Sequence, residues 1–143
     1  MKSLWLVLLF AALSEVSALG QDAKANITPP EVEAGKPITI TLQLDRAPST
    51  DSANLIVTLA PKETIDNPAA FALGVGATGK GSNVYSNTTI VPLNAKGVWY
   101  VRDAYSQVSN ISTPIVLSDH PEFTVKPTVI VLPKSGKVTI TVP

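Results

Sequence analysis

Lys96-Gly97-Val98-Trp99-Tyr100-Val101-Arg102 carries one of only two tryptophans in a chain of 143 residues. The run follows a turn signal, Asn94-Ala95-Lys96-Gly97. Its strand-like alternation therefore predicts a central β-strand entered through a tight corner. Alternation places Trp99 and Val101 on one face and Tyr100 with Arg102 on the other. The first pair reads as core. The second pair is a candidate surface contact, because tyrosine and arginine are enriched where proteins meet ligands and partners.

Upstream, Ile38-Thr39-Ile40-Thr41-Leu42-Gln43-Leu44 alternates strictly between apolar and polar residues, which predicts a half-buried strand with Ile38, Ile40, Leu42 and Leu44 inward. Asn54 to Ala60 predicts a second strand, ended by Pro61, with Leu55, Val57 and Leu59 on one face. Residues 62–83 predict a long mobile connection anchored by Phe71, because Asn67-Pro68 is a turn signal and Gly74 to Ser82 is glycine-rich. Val84 to Val91 is rich in β-branched residues and predicts another strand. Beyond Arg102, Ser106 to Thr113 reads as a hairpin loop, while Ile115-Val116-Leu117 and Glu122 to Lys126 read as short strands. Val129 to Val142 carries a further hairpin pattern around Pro133-Lys134-Ser135-Gly136. No stretch has helical periodicity, so the fold class is all-β.

The N-terminus has the three parts of a secretory signal: Lys2, an apolar run from Leu4 to Leu13, and small residues up to Gly20. The run is too short to span a bilayer, which takes about 20 apolar residues. Cleavage is expected after Ala18 or, preferably, Gly20, leaving a mature chain without a membrane span. Absence of cysteine removes both disulfides and a lipid-anchor cysteine, so an apolar core must hold the fold unaided. A formal net charge of +0 argues against nucleic acid and anionic membranes as partners, since both attract basic patches.

Two runs carry a family resemblance. Val32-x-x-Gly35-x-x-Ile38-x-Ile40-x-Leu42 resembles the stretch leading through strand B of immunoglobulin-like domains, and Ala95-x-Gly97-x-Trp99-x-Val101 resembles the corner before strand F. Ile90-x-x-Leu93 fits the strand between them. The resemblance covers roughly residues 30–126 and is to the disulfide-free immunoglobulin-like modules of exported bacterial proteins. It implies an antiparallel sandwich of about seven to nine short strands. Leu42 and Val101 then stand where antibody-type domains have cysteines, Trp99 takes the place of the corner tyrosine, and Leu55 or Val57 fills the space of the missing strand-C tryptophan. These five residues are the expected structural core. Such sandwiches host many unrelated functions, so the resemblance transfers no site residue.

The remaining motifs are weak. Gly74-Val75-Gly76-Ala77-Thr78-Gly79-Lys80-Gly81 satisfies G-x-G-x-x-G and nearly matches a phosphate loop, but β-type sequence follows where those motifs need a helix. It reads as a flexible inter-strand loop. His120, in Ser118-Asp119-His120-Pro121-Glu122, is the sole histidine; without cysteine it would need carboxylates to hold a metal, and a solvated turn is the simpler reading. No metal and no cofactor are expected. No serine stands in a nucleophile elbow and no base-nucleophile pair is evident. Asn26, Asn87 and Asn110 each begin an N-x-[ST] sequon, relevant to glycosylation only in a eukaryotic source.

These readings predict a signal peptide over 1–20, an immunoglobulin-like domain over 21–127, and a C-terminal hairpin over 128–143 that either completes the sandwich or leaves a free edge. The expected function is a non-enzymatic module, secreted, periplasmic or at the cell surface. It would bind or adhere to an unknown protein or surface polysaccharide, or serve as a structural envelope component. The competing readings are a small β-sandwich hydrolase or lyase using carboxylates, with Asp103, Asp119, Glu122 and His120 as the groups to watch, and a subunit of a surface polymer.

Overall fold

The structure, a computed structural model, describes residues 21–48 and 53–128. The expected signal segment and the expected hairpin beyond Thr128 lie outside these residues. The described chain is all-β, with β1 at Gln21–Thr28, β2 at Glu31–Glu33, β3 at Pro37–Leu44, β4 at Asn54–Pro61, β5 at Phe71–Ala77, β6 at Val84–Ile90, β7 at Gly97–Val108, β8 at Ile111–Leu117 and β9 at Glu122–Lys126. Among the described residues no helix is long and apolar enough to cross a membrane.

The strands do not form the expected open sandwich. Seven of them close a ring in the order β7, β4, β5, β6, β3, β1, β8 and back to β7. The closing strand is β8, which pairs antiparallel with β7 (Ala104 with Ile115) and parallel with β1 (Ala23 with Leu117). The result is a mixed β-barrel, and β2 and β9 extend it outward from β7. The reason for the difference lies in chain continuity. A sandwich needs two sheets with free edges, but β7 continues without a break to Val108 and delivers β8 against β1. Pairing these edges satisfies backbone groups that a sandwich would leave open. The assignment to an immunoglobulin-like sandwich is corrected accordingly.

Two segments expected to be loops are strand. The presumed loop from Ser106 to Thr113 is a two-residue turn, Ser109-Asn110, with φ of 49° and 66°. Positive φ at both central positions is the geometry that matches the twist of flanking strands, so β7 and β8 run almost to the turn. The glycine-rich stretch contributes Gly74 and Gly76 to β5, which pairs with β4 from Leu59 opposite Phe71 to Leu55 opposite Val75. Only residues 78–83 are turn. Glycine density is a poor guide here because a partner strand on one side is enough to keep glycine extended.

The core follows the period-two pattern. Ile38, Ile40, Leu42 and Leu44 of β3, Leu55, Val57 and Leu59 of β4, and Trp99 and Val101 of β7 are all buried. Trp99 lies between Phe71 and Phe123, with ring centroids 6.0 and 6.5 Å away and tilted rings. Burial of each such large side chain contributes roughly 1.5 to 3 kcal/mol, which is how a cysteine-free chain holds its fold. Gly35 takes the turn into β3 with φ of 82°, and an added Cβ would come 2.6 Å from Leu93 Cδ2.

The pairing of β4 with β7 contains one irregularity that positions the surface described next. Leu59 faces Val101 and Thr58 faces Asp103, leaving Arg102 as an extra residue. Such a bulge shifts which residues point outward beyond it. Before the bulge Trp99 and Val101 are inward; after it Ala104 is the buried residue and Tyr105 and Gln107 are half-exposed.

Candidate functional site

The bulge gives β7 two outward sections. In the first, Tyr100 lies between Ala60 of β4 and Glu122 of β9 and is half-buried. Arg102 is exposed and its Nε donates to Asp103 Oδ2 at 2.8 Å. Burial pushes the Asp103 carboxyl up, but hydrogen bonds from Arg102 and Thr58, with the positive field of Arg102 and His120, outweigh it and hold the group below the usual carboxylate range. The Arg102 guanidinium is raised in turn by its hydrogen bond and charge interaction with Asp103. Tyr100 and Arg102, the expected contact pair, are therefore on one outward face, but Arg102 is already engaged by its neighbour.

The second section is more open. Gly74 of β5, Ile56 of β4, Tyr105 of β7 and Pro114 of β8 stand side by side across four strands. The row toward the strand ends sets Asn54 opposite Gln107 and Gln107 opposite Ser112. Two shallow hollows flank the tyrosine. One, of about 370 Å³, lies over Asn54, Ile56, Gly74 and Tyr105. The other, of about 390 Å³, lies over Asp103, Tyr105, Gln107 and Pro114. Apart from Asp103, no charged side chain lines either of them among the described residues.

The hollow over β5 exists because its outward positions are Ala72, Gly74 and Gly76. Packing does not demand glycine there. A Cβ on Gly74 would meet nothing nearer than the Leu55 carbonyl oxygen at 3.9 Å, and one on Gly76 would meet nothing within 4 Å. Neither residue is among those with positive φ. Glycine in a strand is unfavourable by roughly 0.5 to 1 kcal/mol, so these two weaken β5 with no steric return. What they supply is open surface, Gly74 in the hollow it shares with Tyr105 and Gly76 in the hollow next to it.

The groups that a hydrolytic reading would need are occupied elsewhere. Asp119 Oδ1 accepts from the Ala25 amide at 3.3 Å. Glu122 is paired with Lys62. His120 Nδ1 lies 2.8 Å from the Val101 carbonyl oxygen, so that nitrogen carries the proton and donates. Among the described residues no three metal-ligating side chains gather. The sequon asparagines are apart from one another: Asn26 is on β1, Asn110 is in the β7–β8 turn, and Asn87 on β6 donates through Nδ2 to the Gly74 carbonyl at 2.6 Å. Sequence reasoning missed Tyr105 and Gln107 because they fell at a strand end and in an expected loop, and Ile56 because it lay on the outward face of its predicted strand. The signal available was the alternation of small and larger residues in Phe71–Ala77, with Leu73 and Val75 between Ala72, Gly74 and Gly76.

No family model matches the chain and no curated protein is similar to it. Among solved structures it is similar to Pseudomonas fluorescens alkylpurine DNA glycosylase AlkC bound to DNA containing an abasic site analog, at 11% identity and a TM-score of 0.46, over 75% of this chain and 30% of that one. The chain thus spans less than a third of that structure's length. The expected adhesion to a protein or surface polysaccharide, with the envelope and polymer roles, was tied to the immunoglobulin-like sandwich and is corrected with it, because the strands close a barrel; the exclusion of nucleic acid finds no support in the comparison. The exclusion rested on charge summed over the whole chain, a quantity that does not describe any one face.

Proposed function

We propose that the chain is a non-catalytic recognition barrel, exported from the cytoplasm, whose contact surface is the Tyr105 face and whose ligand presents flat rings to it. The observation that carries this reading is the pair of outward glycines, Gly74 and Gly76, kept in a strand where neither packing nor backbone angle calls for them. Beside Gly74, Tyr105 offers a π-face, Ile56 an apolar flank, and Asn54 and Gln107 amides able both to donate and to accept at a ring edge. An aromatic with one apolar and one polar side is suited to such contacts. The non-catalytic part is supported by the structural bonds that engage Asp119, His120 and Glu122. Export is supported by the signal pattern over residues 1–20.

Amide NMR shifts on titration with adenosine and cytidine test the contact surface. The expected result is a cluster of shifts at Ile56, Gly74, Tyr105 and Gln107, lost in Tyr105→Ala. Shifts absent, or scattered over other faces, overturn it. N-terminal sequencing of protein from the culture medium or periplasm tests export, with an uncleaved Met1 as the contrary result.

A further inference from the structure

The hollow beside Tyr105 does not end at β5. It shares Asn54 and Val75 with a larger hollow of about 470 Å³ at the rim of the barrel, lined also by Gly76, Lys80, Ser82 and Tyr85. The rim and the Tyr105 face therefore adjoin at these two residues. Tyr105 and the β5 glycines are two strand spacings apart, about 10 Å.

Lys80 sits at the tip of the turn between β5 and β6. Unlike Lys62, Lys96, Arg102 and Lys126, it makes no ion pair among the described residues. The turn beneath it is held in shape by its own bonds: Ser82 N donates to Gly79 O at 3.1 Å, Val84 N donates to Ser82 Oγ at 3.0 Å, and Thr78 Oγ1 donates to Val84 O at 3.1 Å. Glycines flank the lysine, and an added Cβ at either Gly79 or Gly81 would meet nothing within 4 Å. Among the described residues nothing covers the backbone or pairs with the ammonium, and Tyr85 lines the same hollow. A cation in the hollow next to a ring-stacking surface suits a ligand that alternates rings with negative charge.

We infer that the ligand is a single-stranded nucleic acid, with a base stacked on Tyr105 and a backbone phosphate held at Lys80; this rests on the reading of the Tyr105 face given above. Unpaired bases expose the flat faces that Tyr105 can take, and stacking of this kind tolerates any base. A duplex hides those faces, and among the described residues these hollows lack the row of cations that would hold its two backbones. One lysine contact also sets a specific electrostatic signature. For single strands, log K falls with log salt by about 0.7 per phosphate neutralised.

Fluorescence anisotropy with labelled oligothymidine over a salt series, beside free thymidine followed by NMR, tests this. Oligothymidine should bind more tightly than thymidine and more tightly than a duplex of equal length. Lys80→Gln should weaken oligothymidine several-fold and flatten the salt slope by about 0.7, with the thymidine shifts at Tyr105 unchanged. If thymidine binds at Tyr105 but phosphates add no affinity, or Lys80→Gln keeps the full slope, the phosphate site is wrong and the Tyr105 reading stands. Equal or tighter binding of the duplex overturns the single-strand assignment. If neither probe moves Tyr105, both readings fall.

Discussion

The two halves of β7 have the same alternation and opposite uses. From Gly97 to Val101 the strand turns its bulk inward: Trp99 is 1% exposed and Val101 0%, and both neighbours of the tryptophan ring are aromatic. From Asp103 to Val108 the only buried residue is Ala104, and the largest side chain, Tyr105, lies on the outside. The bulge at Arg102 separates them. One inserted residue lets a single strand serve the core with one aromatic and the surface with another, because the face assignment resets across it. The half that stabilises is the one whose large side chain packs between aromatic rings; the half that can bind is the one whose large side chain faces open hollows, one of them floored by the small residues of β5.

The sharpest way to break this comparison is to truncate each aromatic in turn. Trp99→Ala removes a buried indole and should cost about 3 to 5 kcal/mol, read as a large drop in the denaturant midpoint. Part of that is relieved because Trp99 Nε1 has no hydrogen-bond partner, so the variant loses packing and no bond. Tyr105→Ala should leave the midpoint nearly unchanged, as a half-exposed residue away from the core does. It should instead lose about 1 to 3 kcal/mol of binding to an unpaired base, measured by anisotropy with oligothymidine. Equal destabilisation by the two variants would show that the bulge does not divide the strand in this way.

How far this was legible depends on the range of the interaction involved. Ile38 to Leu44 and Asn54 to Pro61 could be placed as strands because alternation is local, and Leu42, Leu55, Val57, Trp99 and Val101 could be named as inward residues for the same reason. Closure of the barrel was not legible. It depends on Ala23 meeting Leu117, a contact between distant segments that neither segment's pattern encodes. The bulge was invisible because it belongs to the pairing of Thr58 with Asp103 and not to either strand alone. Gly74 and Gly76 misled outright: glycine is read as turn, and only a paired strand beside it shows that the absence of a side chain is the feature.

The glycines give a smaller effect with two signs. Gly76→Val places a β-branched residue on a strand at a position with open space above it and no positive φ. It should raise stability by roughly 0.5 to 1 kcal/mol, from recovered strand preference and a less free unfolded chain. The same methyl groups would fill the floor between Asn54 and the rim, so binding of oligothymidine should fall. A variant that is both more stable and a weaker binder is the signature of a residue kept for its open surface. If stability falls, Gly76 has a structural role that its surroundings do not reveal.

The finest test is at the bulge itself. Asp103 is held below the ordinary carboxylate range in the folded chain, with bonds from Arg102 and Thr58 and nearby positive charge outweighing its partial burial. A depressed folded value means that the ionised group contributes stability above its unfolded pKa, near 3.9. That contribution is lost as pH falls through the folded value. Unfolding midpoints followed from pH 6 downward should therefore decline below about pH 4, and Asp103→Asn should flatten that part of the curve while changing little near neutrality, since both side chains of the Arg102 pair are about half-exposed. Because Asp103 lines the hollow on the far side of Tyr105 from the glycines, the same variant also removes the one charge that lines it among the described residues. Binding of oligothymidine should rise slightly at low salt and match the wild type at high salt, where the repulsion between a carboxylate and a nearby phosphate is screened. An Asp103→Asn variant that unfolds at neutral pH would mean that the ion pair fixes the bulge, and that the division of β7 rests on Arg102 and Asp103 more than on strand pairing.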